Sequence, residues 1–149
     1  MSQRKPAKDP AMQCPITSAL DVFGDRWSLV ILRDIFFKGK NHYREFLASP
    51  EGISTNILAS RLKKLAAAGL LDKQRDPDNQ SGFVYTLTDK GKALLPLLLE
   101  IVKWSARFNP QPGQPDTLIS GAPARLLERL EEDRAALIAE ILESLEASP

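Results

Sequence analysis

The sequence predicts a mainly α-helical fold with one small β-hairpin, on three observations. Apolar residues recur at helical spacing along most of the 149 residues. One pair of short strand-like runs is separated by turn-forming residues. A last amphipathic stretch is set apart by a proline-rich segment. With 43% hydrophobic and 26% charged residues, the chain has the composition of one globular domain carrying an appended element.

Residues 1–13, MSQRKPAKDPAMQ, are polar, lack the apolar run of a signal peptide, and read as a flexible arm. In CPITSALDVFG, Pro15 suits a first helical position and Gly24 a stop, which predicts a helix near 15–23. In DRWSLVILRDIFFKG, Trp27, Val30, Ile31, Asp34 and Ile35 fall at mixed i+3/i+4 spacing, and Leu29, Leu32, Phe36 and Phe37 widen the apolar arc. That arc predicts a helix buried on most sides, the centre of the core. KNHYREFLAS gives a short helix ended by SPEG. In GISTNILASRLKKLAAAGLL, Ser54 is the N-cap, Leu58, Leu62 and Leu65 form the buried stripe, and Gly69 marks the end. The result is a helix over about residues 55–68.

LLDKQRD and FVYTLT, joined by PDNQSG, predict the hairpin. Thr88 caps a further helix through Phe108, with a kink or loosened turn at Pro96. Residues 110–120, with Pro110, Pro112 and Pro115, read as a stiff linker. Residues 121–149 read as a long amphipathic helix whose seam is Leu127, Leu130, Leu137, Ile141 and Leu145. No other element is left to cover that seam, so it is expected to pack on a second copy and make a homodimer.

Helix, helix, short helix, helix, hairpin, helix is the order of a winged helix-turn-helix, and residues 14–109 are assigned to that domain. The net charge of +1 conceals an uneven distribution: +2 over residues 1–13, +4 over 14–109 and −5 over 110–149. Lys38, Lys40, Arg44, Arg61, Lys63, Lys64, Lys73 and Arg75 face only Glu45, Glu51 and Asp72 in the segment they span. A basic body of this kind favours a polyanion, here a double-stranded DNA operator.

On the helix at 55–68, Thr55, Asn56, Ala59, Ser60 and Lys63 lie away from the leucine stripe, with no acid between Glu51 and Asp72. Short side chains let a helix lie deep in a major groove about 12 Å wide. Asn suits adenine, Lys guanine, Ser either, and methyl groups thymine. These five are the candidate base readers. Lys38, Lys40, Arg44, Arg61, Lys64, Lys73 and Arg75 are the candidate backbone contacts. The alternative is a winged helix that binds protein, which would place apolar residues on the same face.

Enzyme chemistry finds no support. His42 is the sole histidine, and no paired cysteines, metal-ligand spacing or phosphate-binding glycine loop occurs, so no metal or cofactor is expected. DPDNQSG fails as a calcium loop, because Ser81 stands where glycine is needed and Leu87 where the bidentate acid is. Trp27 and Trp104 read as core residues, with room left for a small-molecule effector between the helix of Trp27 and the dimer helices. The longest apolar-rich run, 93–102, is too short to span a membrane and is broken by Pro96 and Glu100. A single cysteine, Cys14, excludes an intrachain disulfide and fits a reducing cytoplasm.

Cys-Pro at 14–15, Gly-x-x-Trp at 24–27, Ile-Leu-Arg at 31–33, Gly-Ile-Ser at 52–54 and Tyr-x-Leu-Thr-x-x-Gly at 85–91 occur in this order. Over roughly Cys14 to Phe108 the chain thereby resembles the HxlR-type family of bacterial winged helix-turn-helix regulators. The resemblance implies a homodimeric DNA-binding transcriptional regulator, with the helix at 55–68 reading DNA and terminal helices making the dimer. It departs from the family at the wing tip, DPDNQSG, and at Lys64, where an acid is common. The resemblance also implies that Cys14 can sense oxidants or electrophiles. A thiol just ahead of a helix feels the positive end of its dipole, which favours the thiolate; a packed, inert thiol is the other reading.

Overall fold

α1 (Pro15–Phe23) begins at a proline, whose missing N–H is harmless in a first helical turn. It ends at Gly24, whose N–H bonds the Leu20 carbonyl at 2.7 Å. None of its residues is buried. The computed structural model describes residues 14–109, 121–123 and 125–147, so the arm at 1–13 and the linker at 110–120 lie outside the described residues.

α2 (Arg26–Lys38) starts at Asp25, whose carboxylate accepts from the Ser28 amide at 3.0 Å. It buries Ile31, Leu32, Ile35, Phe36 and Phe37 together with Ser28 and Asp34, and so forms the centre of the core. α3 (Tyr43–Leu47) and α4 (Thr55–Ala67) are joined by a tight turn. His42 and Glu45 cap α3 reciprocally, and the Ser54 hydroxyl caps α4 by accepting from the Ile57 amide. In the turn Gly52 takes φ +73°, a left-handed conformation that a side chain would strain. Leu58, Leu62 and Leu65 are buried as the stripe predicted.

β1 (Leu71–Arg75) and β2 (Phe83–Leu87) form an antiparallel hairpin, in register from Leu71↔Leu87 to Arg75↔Phe83. Leu71, Tyr85 and Leu87 face the core, where Tyr85 meets Phe46 edge-on with ring centroids 6.4 Å apart. His42 bridges Val84, and the Tyr85 amide donates to the Asn41 carbonyl at 2.8 Å, so the segment before α3 flanks the hairpin.

Two elements follow where one helix was expected. α5 (Asp89–Lys92) is capped by Thr88, and α6 (Leu95–Phe108) carries Pro96 in its first turn. The interruption falls just ahead of the proline, where a missing donor costs least. α5 sits close against the hairpin: a Cβ on the buried Gly91 would lie 2.2 Å from the Leu70 carbonyl oxygen.

The C-terminal segment corrects the sequence reading twice. It is two helices, α7 (Leu126–Glu132) and α8 (Arg134–Ala147), separated at Asp133, whose carboxylate accepts from the Ala136 amide at 3.1 Å. Its seam is covered within the chain. Leu130, Leu137 and Ile141 are 4%, 0% and 3% exposed and belong to the same core as Phe36 and Phe37, with α8 packed on α2. Leu145 is half-buried against that core, and Leu127 stands half-exposed in a shallow groove between α6 and α7. The apolar arc of α2 is too wide for its other neighbours to cover, and α8 takes the remainder.

Candidate nucleic-acid interface

The orientation of α4 is set by two carboxylates of the α2 region. Asp25 does more than cap α2: it also accepts from the Ser28 hydroxyl at 2.6 Å and from Arg61 Nε on α4 at 2.8 Å, with Lys64 Nζ 4.0 Å away. Burial pushes its carboxyl up, but the Ser28 and Arg61 donors outweigh this and hold it below the usual carboxylate range.

Asp34 anchors the turn that leads into α4. Only 1% exposed, it accepts from the Ser49 hydroxyl, from Lys40 Nζ at 3.1 Å and from Arg33 Nε at 3.0 Å, with Lys38 Nζ at 3.8 Å. Arg33 also grips Glu51 through both carboxylate oxygens. Ser49 and Glu51 lie in the α3–α4 turn, so this network ties the turn to the core. Tyr43 adds a bond from its hydroxyl to the Thr55 carbonyl at 3.1 Å. Burial raises the Asp34 carboxyl, yet Ser49, Arg33 and Lys40 bring it below the ordinary range; Arg33 draws Glu51 from 4.5 down to about 2.

Held this way, α4 exposes Thr55, Asn56, Ala59, Ser60 and Lys63, the five candidate base readers, together on one face. Among the described residues, the side chains of Lys63 and Arg44 have no hydrogen-bond or ion-pair partner. The other basic candidates divide. Lys40 is withdrawn as a backbone contact, because its ammonium is turned inward to Asp34 and to Ser49 Oγ at 2.8 Å. Lys38 leans towards the same carboxylate, and Arg61 and Lys64 towards Asp25. On the hairpin, Lys73 Nζ sits 4.1 Å from the Phe83 ring centroid, while Arg75 stacks on the same ring and donates to the Gln80 carbonyl at 2.8 Å.

Sequence reasoning missed the roles of Asp25, Asp34 and His42. An acid within the apolar run of α2 was the available sign for Asp34. His42 contacts Asp76 of the wing tip, Nε2 to Oδ2 at 3.0 Å, across 34 residues of sequence, and no local pattern announces that. The Asp78 amide and His42 hold the Asp76 carboxyl below its usual range. Trp27 is half-buried against the core under Arg26, whereas Trp104 is 61% exposed, contrary to its reading as a core residue. Cys14 is exposed at the N-cap of α1, and the Thr17 and Ile16 amides hold its thiol below the usual value of 9.0. Arg26 lies over Trp27 and is not among the groups that shift the thiol.

A short helix, a tight turn and an exposed second helix free of acids, flanked by a two-stranded wing, define a winged helix-turn-helix DNA-binding protein. The model of the HxlR-like helix-turn-helix family matches residues 22–112, and the chain belongs to that family of transcriptional regulators. The matched span ends before α7 and α8. The HTH-type transcriptional regulators YvaP and YodB of Bacillus subtilis are 34% and 32% identical over 96 residues. Those alignments cover 64% of this chain and 88% and 85% of theirs. Among solved structures, PA1607 superposes with TM-score 0.62 at 39% identity, over 70% of this chain and 71% of its own. The redox regulator HypR in its oxidized form gives 0.55 at 28%, over 63% and 96%. Diamide-treated YodB from B. subtilis gives 0.51 at 32%, over 65% and 96%. Among the described residues, no helix is long and apolar enough to cross a membrane.

Both carboxyls of the turn network titrate lower in the folded protein than in the unfolded chain. Their stabilisation is therefore complete above the unfolded values and is lost as pH falls towards the folded ones. For Glu51 that window runs from 4.5 to about 2. Glu51→Gln should lower stability at neutral pH and flatten the decline across this window. Urea midpoints of the two proteins at a series of pH values check this, and parallel declines would refute the role given to Glu51.

Proposed function

We propose that the chain is a homodimeric, sequence-specific regulator that binds a pseudo-palindromic DNA operator. Its two α4 helices enter successive major grooves roughly 34 Å apart. The observation that carries this reading is the exposed face of α4: Thr55, Asn56, Ala59, Ser60 and Lys63 stand together without an acid, on a helix tied to α2 at Arg61 and through the turn before it. Arg44 and Lys73 are the leading backbone contacts, with Lys38, Arg61, Lys64 and Arg75 contributing through ammonium or guanidinium groups shared with the protein. Lys63→Ala and Asn56→Ala should each cost about 1–3 kcal/mol on the specific site and relax base preference there. Lys73→Ala should weaken binding to all DNA alike. Fluorescence anisotropy on operator and scrambled duplexes separates the two; an unchanged operator affinity in both α4 variants would sink the reading face.

The dimer contact moves from the expected C-terminal seam to α6 and α1. Leu97, Ile101, Trp104 and Phe108 form one exposed stripe at i, i+4, i+7 and i+11 on α6, with the Trp104 and Phe108 rings 5.8 Å apart. Ile16 and Leu20 form a second exposed pair on α1. Exposed apolar stripes of this extent support a protein–protein contact, and a symmetric dimer places the stripe of one copy on that of the other. Trp104→Glu should shift the protein to monomer in sedimentation velocity. A dimer of unchanged strength would show that α6 is not the contact.

Cys14 supplies the regulatory element of the proposal. Its thiol is exposed, its pKa is lowered, and similarity to redox regulators supports a sensing role. The thiolate adds to an electrophilic carbon, or the Cys14 thiols of two copies join in a disulfide while a hydroperoxide takes up their two electrons and two protons and leaves as water and an alcohol. N-ethylmaleimide should change the operator affinity of the wild type and leave Cys14→Ser unaffected; equal responses would end the sensing role.

A further inference from the structure

A cavity of about 240 Å³ opens between the base of the wing, the loop after α2 and the last turn of α8. Ile35, Leu87 and Leu145 give it apolar walls, Asn41 adds an amide, Lys92 supplies an ammonium group paired with Glu146, and Lys40 lines one side with its ammonium turned to Asp34 and Ser49. We infer that this cavity binds a small organic monocarboxylate, whose carboxylate takes the place of Glu146 on Lys92 while its apolar body fills the space between the aliphatic walls.

Charge favours an anion there. Around Asp34, the cations Arg33, Lys38 and Lys40 exceed the anions Asp34 and Glu51 by one, so the cluster behind the Lys40 wall carries a net positive charge. Lys92 has one ion-pair partner among the described residues, Glu146 Oε1 at 3.4 Å. That glutamate is 72% exposed and one residue from the end of α8, and a pair of this kind contributes little and gives way readily. A ligand carboxylate inside the cavity meets Lys92 with less screening than the exposed Glu146 carboxylate does, and burial of the ligand's apolar body offsets the cost of desolvating it.

Size limits the rest of the ligand. Pockets for drug-sized molecules run to roughly 300–1,000 Å³, so this smaller space suits one ring or a short branched chain. Leu145 and Glu146 belong to α8, which lies outside the span matched by the family. Tyr85 also lines the cavity, and its amide is bonded to the Asn41 carbonyl. An occupant therefore links the end of α8 to the strand that carries the wing.

The test is calorimetric titration of the full-length protein with sodium benzoate at low ionic strength. DNA is absent, so its outcome is independent of the DNA-binding proposal. Saturable one-site binding is expected, weakened about tenfold by Lys92→Gln and tightened about threefold by Glu146→Gln. Thermal unfolding without ligand checks that both variants fold. Should Lys92→Gln fail that check, benzoate-induced amide shifts at Asn41 and Thr86 of the wild type decide, and their absence overturns the site. Lack of saturable binding, equal binding by Lys92→Gln, or equal binding of neutral benzamide would each overturn it as well.

Discussion

The buried carboxylate of Asp34 is the constraint on which the placement of the α3–α4 turn, and through it of α4, depends. A charge that is 1% exposed in an apolar core is tolerated only when every lone pair is matched, and Ser49, Lys40, Arg33 and Lys38 do this. Ser49 belongs to the turn, and Arg33 extends the network to Glu51, also in the turn. The α3–α4 connection is thereby fastened to the last turns of α2. Asp25 does the same from the first turn of α2 through Arg61. α4 is thus held by polar bonds at the turn that precedes it and at Arg61 near its middle, and by the buried Leu58, Leu62 and Leu65 along its inner face. Hydrophobic burial holds the helix to the core but is not directional; the two carboxylates fix how it is rotated and tilted.

This arrangement explains why a tally of basic residues overstates the contact surface. Sequence treats Lys40 and Lys63 alike, because each is a lysine in a basic segment. In the folded chain Lys40 completes the coordination of a buried acid, whereas Lys63 projects from α4. The acids that make the difference, Asp25 and Asp34, precede the basic segment: Asp25 reaches Arg61 across 36 residues through tertiary packing, whereas Asp34 takes Lys38 and Lys40 from the end of its own helix and the loop after it. The face of α4 itself was legible, since both its leucine stripe and its lack of acids are local properties of 14 residues.

The same division between local and long-range information runs through the fold. Caps at Asp25, Ser54 and Thr88 lie within three residues of the groups they serve, and the helices they start were readable. The hairpin was readable from its turn residues. The fate of Leu130, Leu137 and Ile141 was not, because an amphipathic stripe states that it must be covered but not by what. A proline-rich stretch suggested separation, yet α2 still had apolar surface to cover. Once α8 has covered it, the apolar stripe left in search of a partner is that of α6, with Trp104 at its centre.

The wing shows how far a local departure can change the contact surface. Its tip carries Asp76 and Asp78, and carboxylates there repel phosphates. Asp76 is drawn back by His42 and by the Asp78 amide, and the loop closes on itself through the Asn79–Gly82 bond at 2.9 Å. The cations sit instead on strand β1, where Lys73 at mid-strand and Arg75 at its distal end share the Phe83 ring. Such a wing favours contact through its strand rather than its tip. Strand and α4 are adjacent in sequence, separated by Ala68 to Leu70, so the cations of β1 follow closely on α4 while the acids are confined to the tip.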